Sequence, residues 1–450
     1  MATYKGYLMT ELMADTRHQQ STLRLTNLDH DFLHIETRQR PMHWAVLFDL
    51  EDSGEPISID HLRGRVRERA LAYDAFQLGI SRGKWRKPLV GRASETELAD
   101  NVDQVFVGTD SDATAWISRL MSRPLTGSRP RWRISLLNQE RPKRQRIVVC
   151  AHHVLADGIA AAGFGALFAD GSPEQLRRFE RFLTADRFEL DPIDKFDAKC
   201  AIRSFRTSWH EGSARPRWPK LSSARREVGY LSVPTVELSR MATQCSASVR
   251  EYILACVGVA LNACPPDGRG LPRRIRTLIP VTLDPRLHHT GNATGFAFLN
   301  IPGSTSNFDD HLADSRQQMK AVAQHRPELA LPAIAGQSRL LPWPAQRLAS
   351  IATMRLLHPD IDVGVNPGFS SARSVFGNPI SRVYPFSPLA YTSMAISVLV
   401  LGGVTSFGIV TDPAALPGYL PRLIGCLRNT IDDPHQSHAT TNRSESHGGV

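Results

Sequence analysis

Two periods of hydrophobic and polar positions alternate along this chain. "LTNLDHDFLHIE" opens with capping-type residues and then sets Leu28, Phe32 and Ile35 on one helical face. "MHWAVLFDLE" reads as a strand, and "SIDHLRGRVRERAL" as an amphipathic helix with Asp60 near its start. "ATAWISRLMSRPL" repeats the helical spacing and is ended by Pro124. The strands "RWRISLLN" and "RIVVCA" flank the basic run "RPKRQR", which reads as a solvated hairpin loop, and "GIAAAGFGALFA" reads as a helix. From 170 to 228 long apolar runs become few while charge and proline rise, as in a crossover between halves. The pattern then restarts. "VGYLSVP", "RIRTLIPVTL", "GFAFLNIPG", "RVYPFS", "MAISVLVLGG" and "TSFGIVT" read as strands, and "SVREYILACVGVALNAC" as a strongly apolar helix. "ALPGYLPRLIGCLRNTI" is a closing helix interrupted by prolines.

The elements predict an α/β chain of two side-by-side layered halves. The expected organisation is a mobile N-terminus over 1–24, an N-terminal half over 25–185 and a linker or crossover over 186–228. A C-terminal half over 229–431 and a disordered tail over 432–450, almost without apolar residues, complete it.

Composition narrows the class. At 450 residues the chain exceeds one ordinary core, and 42% hydrophobic with 22% charged residues is usual for a globular protein. No stretch of 18 or more apolar residues and no signal-peptide core is present, so a cytoplasmic protein is expected. The six cysteines show no CxxC spacing, which argues against zinc or a disulfide framework, and no metal site is expected. Net charge is +10, with clusters at "RPKRQR", "GKWRK" and "LPRRIR". Such clusters suit phosphates, an acidic carrier protein or an anionic membrane surface. No nucleic-acid fold signature accompanies them, so no nucleic-acid partner is expected, and membrane association is peripheral at most.

The chemistry concentrates in "VVCAHHVLADGIAAAGF", where His152 and His153 follow a strand and Asp157 and Gly158 precede a helix-like run. Asp157 is a natural N-cap, and Gly158 clears space for a ligand or backbone. A partly buried histidine near a helix N-terminus stays neutral and serves as a general base. The other reading is a packed histidine pair with Asp157 only a cap.

"HHVLADG" resembles the HHxxxDG motif of the acyltransferase superfamily that includes chloramphenicol acetyltransferase and peptide-synthetase condensation domains. "SRPLTGSRPRWRISLLN", "HHTGNATGFAFLNIP" and "VNPGFSSARSVFGNPISRVYPFSPLA" are similar to segments of bacterial wax ester synthase/diacylglycerol acyltransferases. The resemblance runs from about Leu25 to about Ile431 and is weakest across 170–228. It implies two chloramphenicol-acetyltransferase-like domains with an active-site tunnel between them, and acyl transfer without a covalent acyl-enzyme. His153 would take the proton of a hydroxyl or amine acceptor as it attacks an acyl-CoA thioester. His152 would support it, and Asp157 would pair with an arginine and hold the loop. Acyl-CoA would be a co-substrate, with no cofactor. A thioester is already activated, so positioning and a base suffice.

Further candidates are Asn292 in "TGNATGF", orienting the site or making a turn, and Thr392 and Ser393 in "AYTSMAIS", donating to an oxyanion or simply strand residues. The family's Asn-Asp after the crossover is replaced by Arg250-Glu251, which suits either a polar acceptor or an exposed first helical turn. A lipid alcohol or diacylglycerol and a polar specialised metabolite therefore compete as acceptor, and mean hydropathy of −0.24 leans to the second. A carrier-protein donor, as in condensation enzymes, and a non-catalytic partner-binding relative are the rival readings.

Overall fold

The computed structural model describes residues 24–434 apart from 52–54, 81–85, 126–129, 213–217, 267–269, 339–340, 367 and 369–372. Most of the expected N-terminal segment and tail, and 83–85 of "GKWRK", therefore lie outside the described residues. In chain order the strands are β1 (His43–Leu50), β2 (Leu78–Ile80), β3 (Val90–Arg92), β4 (Val102–Val107), β5 (Trp132–Gln139), β6 (Arg144–His152) and β7 (Glu227–Pro234). They continue as β8 (Arg274–Thr282), β9 (Thr294–Pro302), β10 (Ile361–Val365), β11 (Ser374–Val375), β12 (Asn378–Phe386), β13 (Met394–Leu401) and β14 (Val404–Thr411).

Two six-stranded mixed sheets carry the molecule, ordered β11-β12-β1-β6-β5-β4 and β7-β14-β13-β10-β8-β9. β4 is parallel to β5, and β10 is parallel to both β8 and β13. Val148, Cys150, Leu47 and Phe386 of the first sheet pack with Ala395 and Val410 of the second, so one shared core joins them. The apolar helix Val249–Ala263 is buried from Tyr252 to Leu261 and fills the C-terminal core. Its Ser248 cap and Glu251 form a reciprocal capping box, which sets where it starts.

Three sequence readings change in detail. The stretch expected as a linker holds the helix Lys195–Glu211, whose Ala201 and Phe205 pack with Leu278 and Phe298. A narrow apolar stripe on a charged helix is easily read as linker. The segment Ala160–Leu167 is a 3-10 helix rather than an α-helix, with Gly163 and Gly165, poor helix formers, against Leu183 and Phe179. "RPKRQR" is only partly a solvated loop: Arg146 lies in β6, 1% exposed, and pairs with Asp49 at 2.7 Å and Asp110 at 2.6 Å. β12, from the C-terminal half of the sequence, pairs with β1 and completes the N-terminal sheet.

Candidate active site

β6 ends at His152, and the motif loop leaves the sheet there. The His153 N–H donates to the Met42 carbonyl at 2.8 Å. His152 is fully buried; its Nδ1 accepts from the Val154 N–H at 3.0 Å while Nε2 lies 3.2 Å from Glu36 Oε2. Its ring therefore braces the turn.

His153 is half-buried at a cavity wall, stacked on Phe32 with ring centroids 3.8 Å apart and planes 10° apart. Its Nδ1 lies 2.9 Å from Asn292 Oδ1. The Asn292 amide nitrogen donates to Asp29 Oδ1 and to the His153 carbonyl, each at 2.8 Å. Both of those partners only accept, so Asn292 Oδ1 is the acceptor and His153 Nδ1 carries the hydrogen. The lone pair is left on Nε2. Burial, rather than the helix terminus expected from sequence, pulls the imidazole down to about 4, against smaller opposing effects of Asp157 and Asn292.

Asp157 is buried and accepts five hydrogen bonds. Oδ1 takes the N–H groups of Ile159 and Ala160 at 3.0 and 2.9 Å, the cap expected of it. Oδ2 takes the Ala293 N–H at 2.8 Å, the Thr294 hydroxyl at 2.9 Å and His289 Nε2 at 3.1 Å. Burial opposes the charge, but these bonds, led by His289, hold the carboxyl at about 2. His289 is gripped on its other side by Asp284 Oδ2 at 2.9 Å, so its pKa is raised despite burial. The partner of Asp157 is thus a histidine, not the expected arginine. The arginine nearby, Arg187, instead holds Asp29 at 2.9 Å and the Val154 carbonyl at 3.2 Å. Gly291 permits this packing: its φ is +81°, and a Cβ there would sit 2.5 Å from Arg187 Nη1.

The site opens into a cavity of about 1140 Å³, walled by both halves. That volume exceeds the usual small-molecule pocket of roughly 300–1,000 Å³ and has room for a long chain. Gly158 lines it, and a Cβ on Gly158 would meet Asn366 Oδ1 at 3.3 Å.

The family profile for the wax ester synthase/diacylglycerol acyltransferase catalytic domain matches residues 25–194, and that for the family's C-terminal domain matches 290–433. The chain belongs to the wax ester synthase/diacylglycerol acyltransferase family. A putative diacylglycerol O-acyltransferase of Mycobacterium bovis is 23% identical over 429 residues, covering 86% of this chain and 90% of the relative. A probable diacylglycerol O-acyltransferase of Mycobacterium tuberculosis matches equally. The wax ester synthase/diacylglycerol acyltransferase of Marinobacter aquaeolei shares the fold at TM-score 0.63 and 17% identity, over 91% of this chain and 98% of that one. The starter condensation domain of a rhizomide synthetase, solved with C8-CoA and Leu-SNAC, superposes at TM-score 0.57 and 13% identity over 93% and 96% of the two chains. The expectation of an acyltransferase with this fold holds.

In this acyltransferase the substituted pair after the crossover divides its roles. Glu251 caps its helix, while Arg250 lines the cavity and donates to the Val365 carbonyl at 3.1 Å. Thr392 and Ser393 do not line the cavity, contrary to the oxyanion reading. The Ser393 hydroxyl donates to the Pro219 carbonyl at 2.7 Å and accepts from Trp218 Nε1 at 2.9 Å, and Thr392 is buried. Ser397, four residues on, lines the cavity instead, its Oγ 2.6 Å from that of Ser387. Sequence reasoning missed Asp29, Arg187 and His289. The one local signal was the Thr26-x-x-Asp29 capping box, which places Asp29 at the third helical position.

Proposed function

We propose that this acyltransferase moves an acyl group from an acyl-CoA thioester to a hydroxyl or amine acceptor, with His153 as general base. The single observation that carries the reading is the fixed tautomer of His153: Nδ1–H is committed to Asn292, which leaves the Nε2 lone pair for chemistry. The acceptor oxygen forms a bond to the thioester carbonyl carbon while its proton passes to Nε2. The tetrahedral intermediate then breaks its C–S bond, and the proton goes from imidazolium to the departing thiolate. A base held near 4 is ready at neutral pH and takes the proton only as attack makes the hydroxyl acidic. Returning it to a thiolate, whose ordinary value is about 8.5, is then downhill.

Asn292, Asp29 and Arg187 are positioning residues for His153, and Asp157 with His289 holds the motif loop. Support for the donor comes from cations on the cavity wall, among them Lys87, Arg178, Arg181 and Arg373, which suit the phosphates of coenzyme A. Support for a hydroxyl acceptor comes from the mycobacterial relatives, named diacylglycerol O-acyltransferases. Free CoA release, followed over a panel of acyl-CoAs and acceptors from long-chain alcohols and diacylglycerol to polar alcohols and amines, tests the reading. Acceptor-dependent release supports it. Transfer only from an acyl group on a carrier protein would replace the donor, and no transfer from either donor would end the reading.

A further inference from the structure

The cavity wall formed by β10 is at odds with an acceptor that is only a hydrocarbon. β10 alternates: Ile361 and Val363 enter the C-terminal core, whereas Asp362 and Gly364 line the cavity, followed by Asn366. Asp362 sits in register with Leu278 of β8, which also lines the cavity, and with Ala395 of β13. Among the described residues its carboxyl has no ion pair and no hydrogen bond. Burial alone pushes it up to about 7. A carboxyl left unmatched in an apolar surround costs free energy, and such groups gather where a ligand completes them. Arg250, a cation on the same cavity, is turned to the Val365 carbonyl. Ser397, in register with Gly364, extends the polar strip to Ser387. Phe32, Phe48, Phe168 and Phe179 line the same cavity. The cavity thus offers both apolar and polar lining, as the pocket of an amphipathic molecule would.

We propose that Asp362 is a specificity-determining residue for the acceptor, selecting a molecule that carries an ammonium or a second hydroxyl besides its reacting group. This rests on the acyl-transfer reading above for which substrate fills the subsite. The apolar chain and anionic phosphates of acyl-CoA do not complement a carboxylate, and its amide and hydroxyl donors are the competitor that the acyl-CoA affinity of Asp362→Leu separates. An acceptor's ammonium complements the carboxylate by charge and a hydroxyl by hydrogen bonding. Four residue steps lead from Asp362 to Asn366, just past the end of β10 and beside the Gly158 position, a span of about 13 Å along the wall. A twelve-carbon chain, about that long, is the matching probe.

Calorimetric binding of aminododecanol, dodecanediol and dodecanol to the free acyltransferase tests the subsite without turnover. Wild type is expected to bind aminododecanol at least about tenfold more tightly than dodecanol, a difference of about 1.4 kcal/mol. Asp362→Leu should bring that ratio to about one, with its far-UV circular dichroism and acyl-CoA affinity unchanged. Asp362→Asn should keep the preference for the diol and lose that for the amine. Equal binding of the three probes by wild type would overturn the proposal, as would a preference that survives in Asp362→Leu. So would an equal loss of acyl-CoA affinity in that variant, which would place the carboxyl against the amide groups of the donor. The Asp362-dependent preference together with no transfer from either acyl-CoA or a carrier-bound acyl group would support the subsite and remove the acyl-transfer reading instead.

Discussion

Burial keeps His153 a neutral imidazole down to about pH 4, far below an ordinary histidine at 6.5. The acid limb of kcat/KM is therefore expected near pH 4, with no titration of the base around 6.5. A pH–rate profile checks this. The sign for stability is that of a group whose folded value is lowered. The neutral form favours the fold, so this contribution is complete above 6.5 and is lost as pH falls toward 4. Asn292 fixes which nitrogen reacts without touching the reacting atoms. Asn292→Ala should cut kcat by about 10²-fold through a misplaced ring, while KM for acyl-CoA stays unchanged. Steady-state kinetics separates these terms, and a change in KM alone would make Asn292 a substrate ligand instead.

At the scale of the element, the loop after β6 is held by one buried carboxylate bonded to two stretches of chain. Asp157→Asn keeps the capping oxygen but puts an amide nitrogen, which cannot accept, where Oδ2 takes bonds from Ala293, Thr294 and His289, and a loss of about 1–3 kcal/mol with a lower Tm is expected. Asp157 contributes stability above its ordinary 3.8 that is lost as pH falls toward 2; His289, with its value raised above 6.5, contributes below 6.5 and loses its part as pH rises through the raised value. Melting curves of wild type and Asp157→Asn between pH 2 and 4 should converge as the wild type loses that contribution. Full stability with complete inactivity would assign Asp157 a chemical role. The strands, the apolar helix and the motif were legible because each is specified by its own period or spacing. The partner of Asp157 was not, because His289 lies 132 positions away and is brought there by long-range contacts such as the parallel bridges of Ala156 with Gly291 and of Arg187 with Thr290. Thr392 and Ser393 were misplaced for a related reason: strand parity is readable, but where along the strand the cavity begins is not, and Trp218 occupies the Ser393 end. Asp29 and Arg187 reach the site through the same segment, again by contacts that no local pattern announces.

At the scale of the whole molecule, the two sheets share a core and β12 crosses between the halves, so the cavity is a product of their joining rather than of either half. Gly158 of the motif faces Asn366 of the second half, whose Oδ1 a Cβ there would meet at 3.3 Å. Its backbone is not left-handed, so no torsional demand requires glycine there. Gly158→Ala should keep its Tm, the Asn366 side chain giving way by a few tenths of an ångström. Gly158→Val should narrow the cavity and impair long acyl donors more than short ones. A donor-length series on both variants checks this, and equal losses at every length with a lowered Tm would contradict a steric role. The central claim is that His153 accepts the proton of the attacking acceptor, and its most direct test is the single-turnover rate of acyl transfer from acyl-CoA in His153→Ala beside wild type. The account predicts a loss of about 10²–10⁴-fold with unchanged circular dichroism and acyl-CoA binding; a rate close to wild type in a folded variant would contradict it.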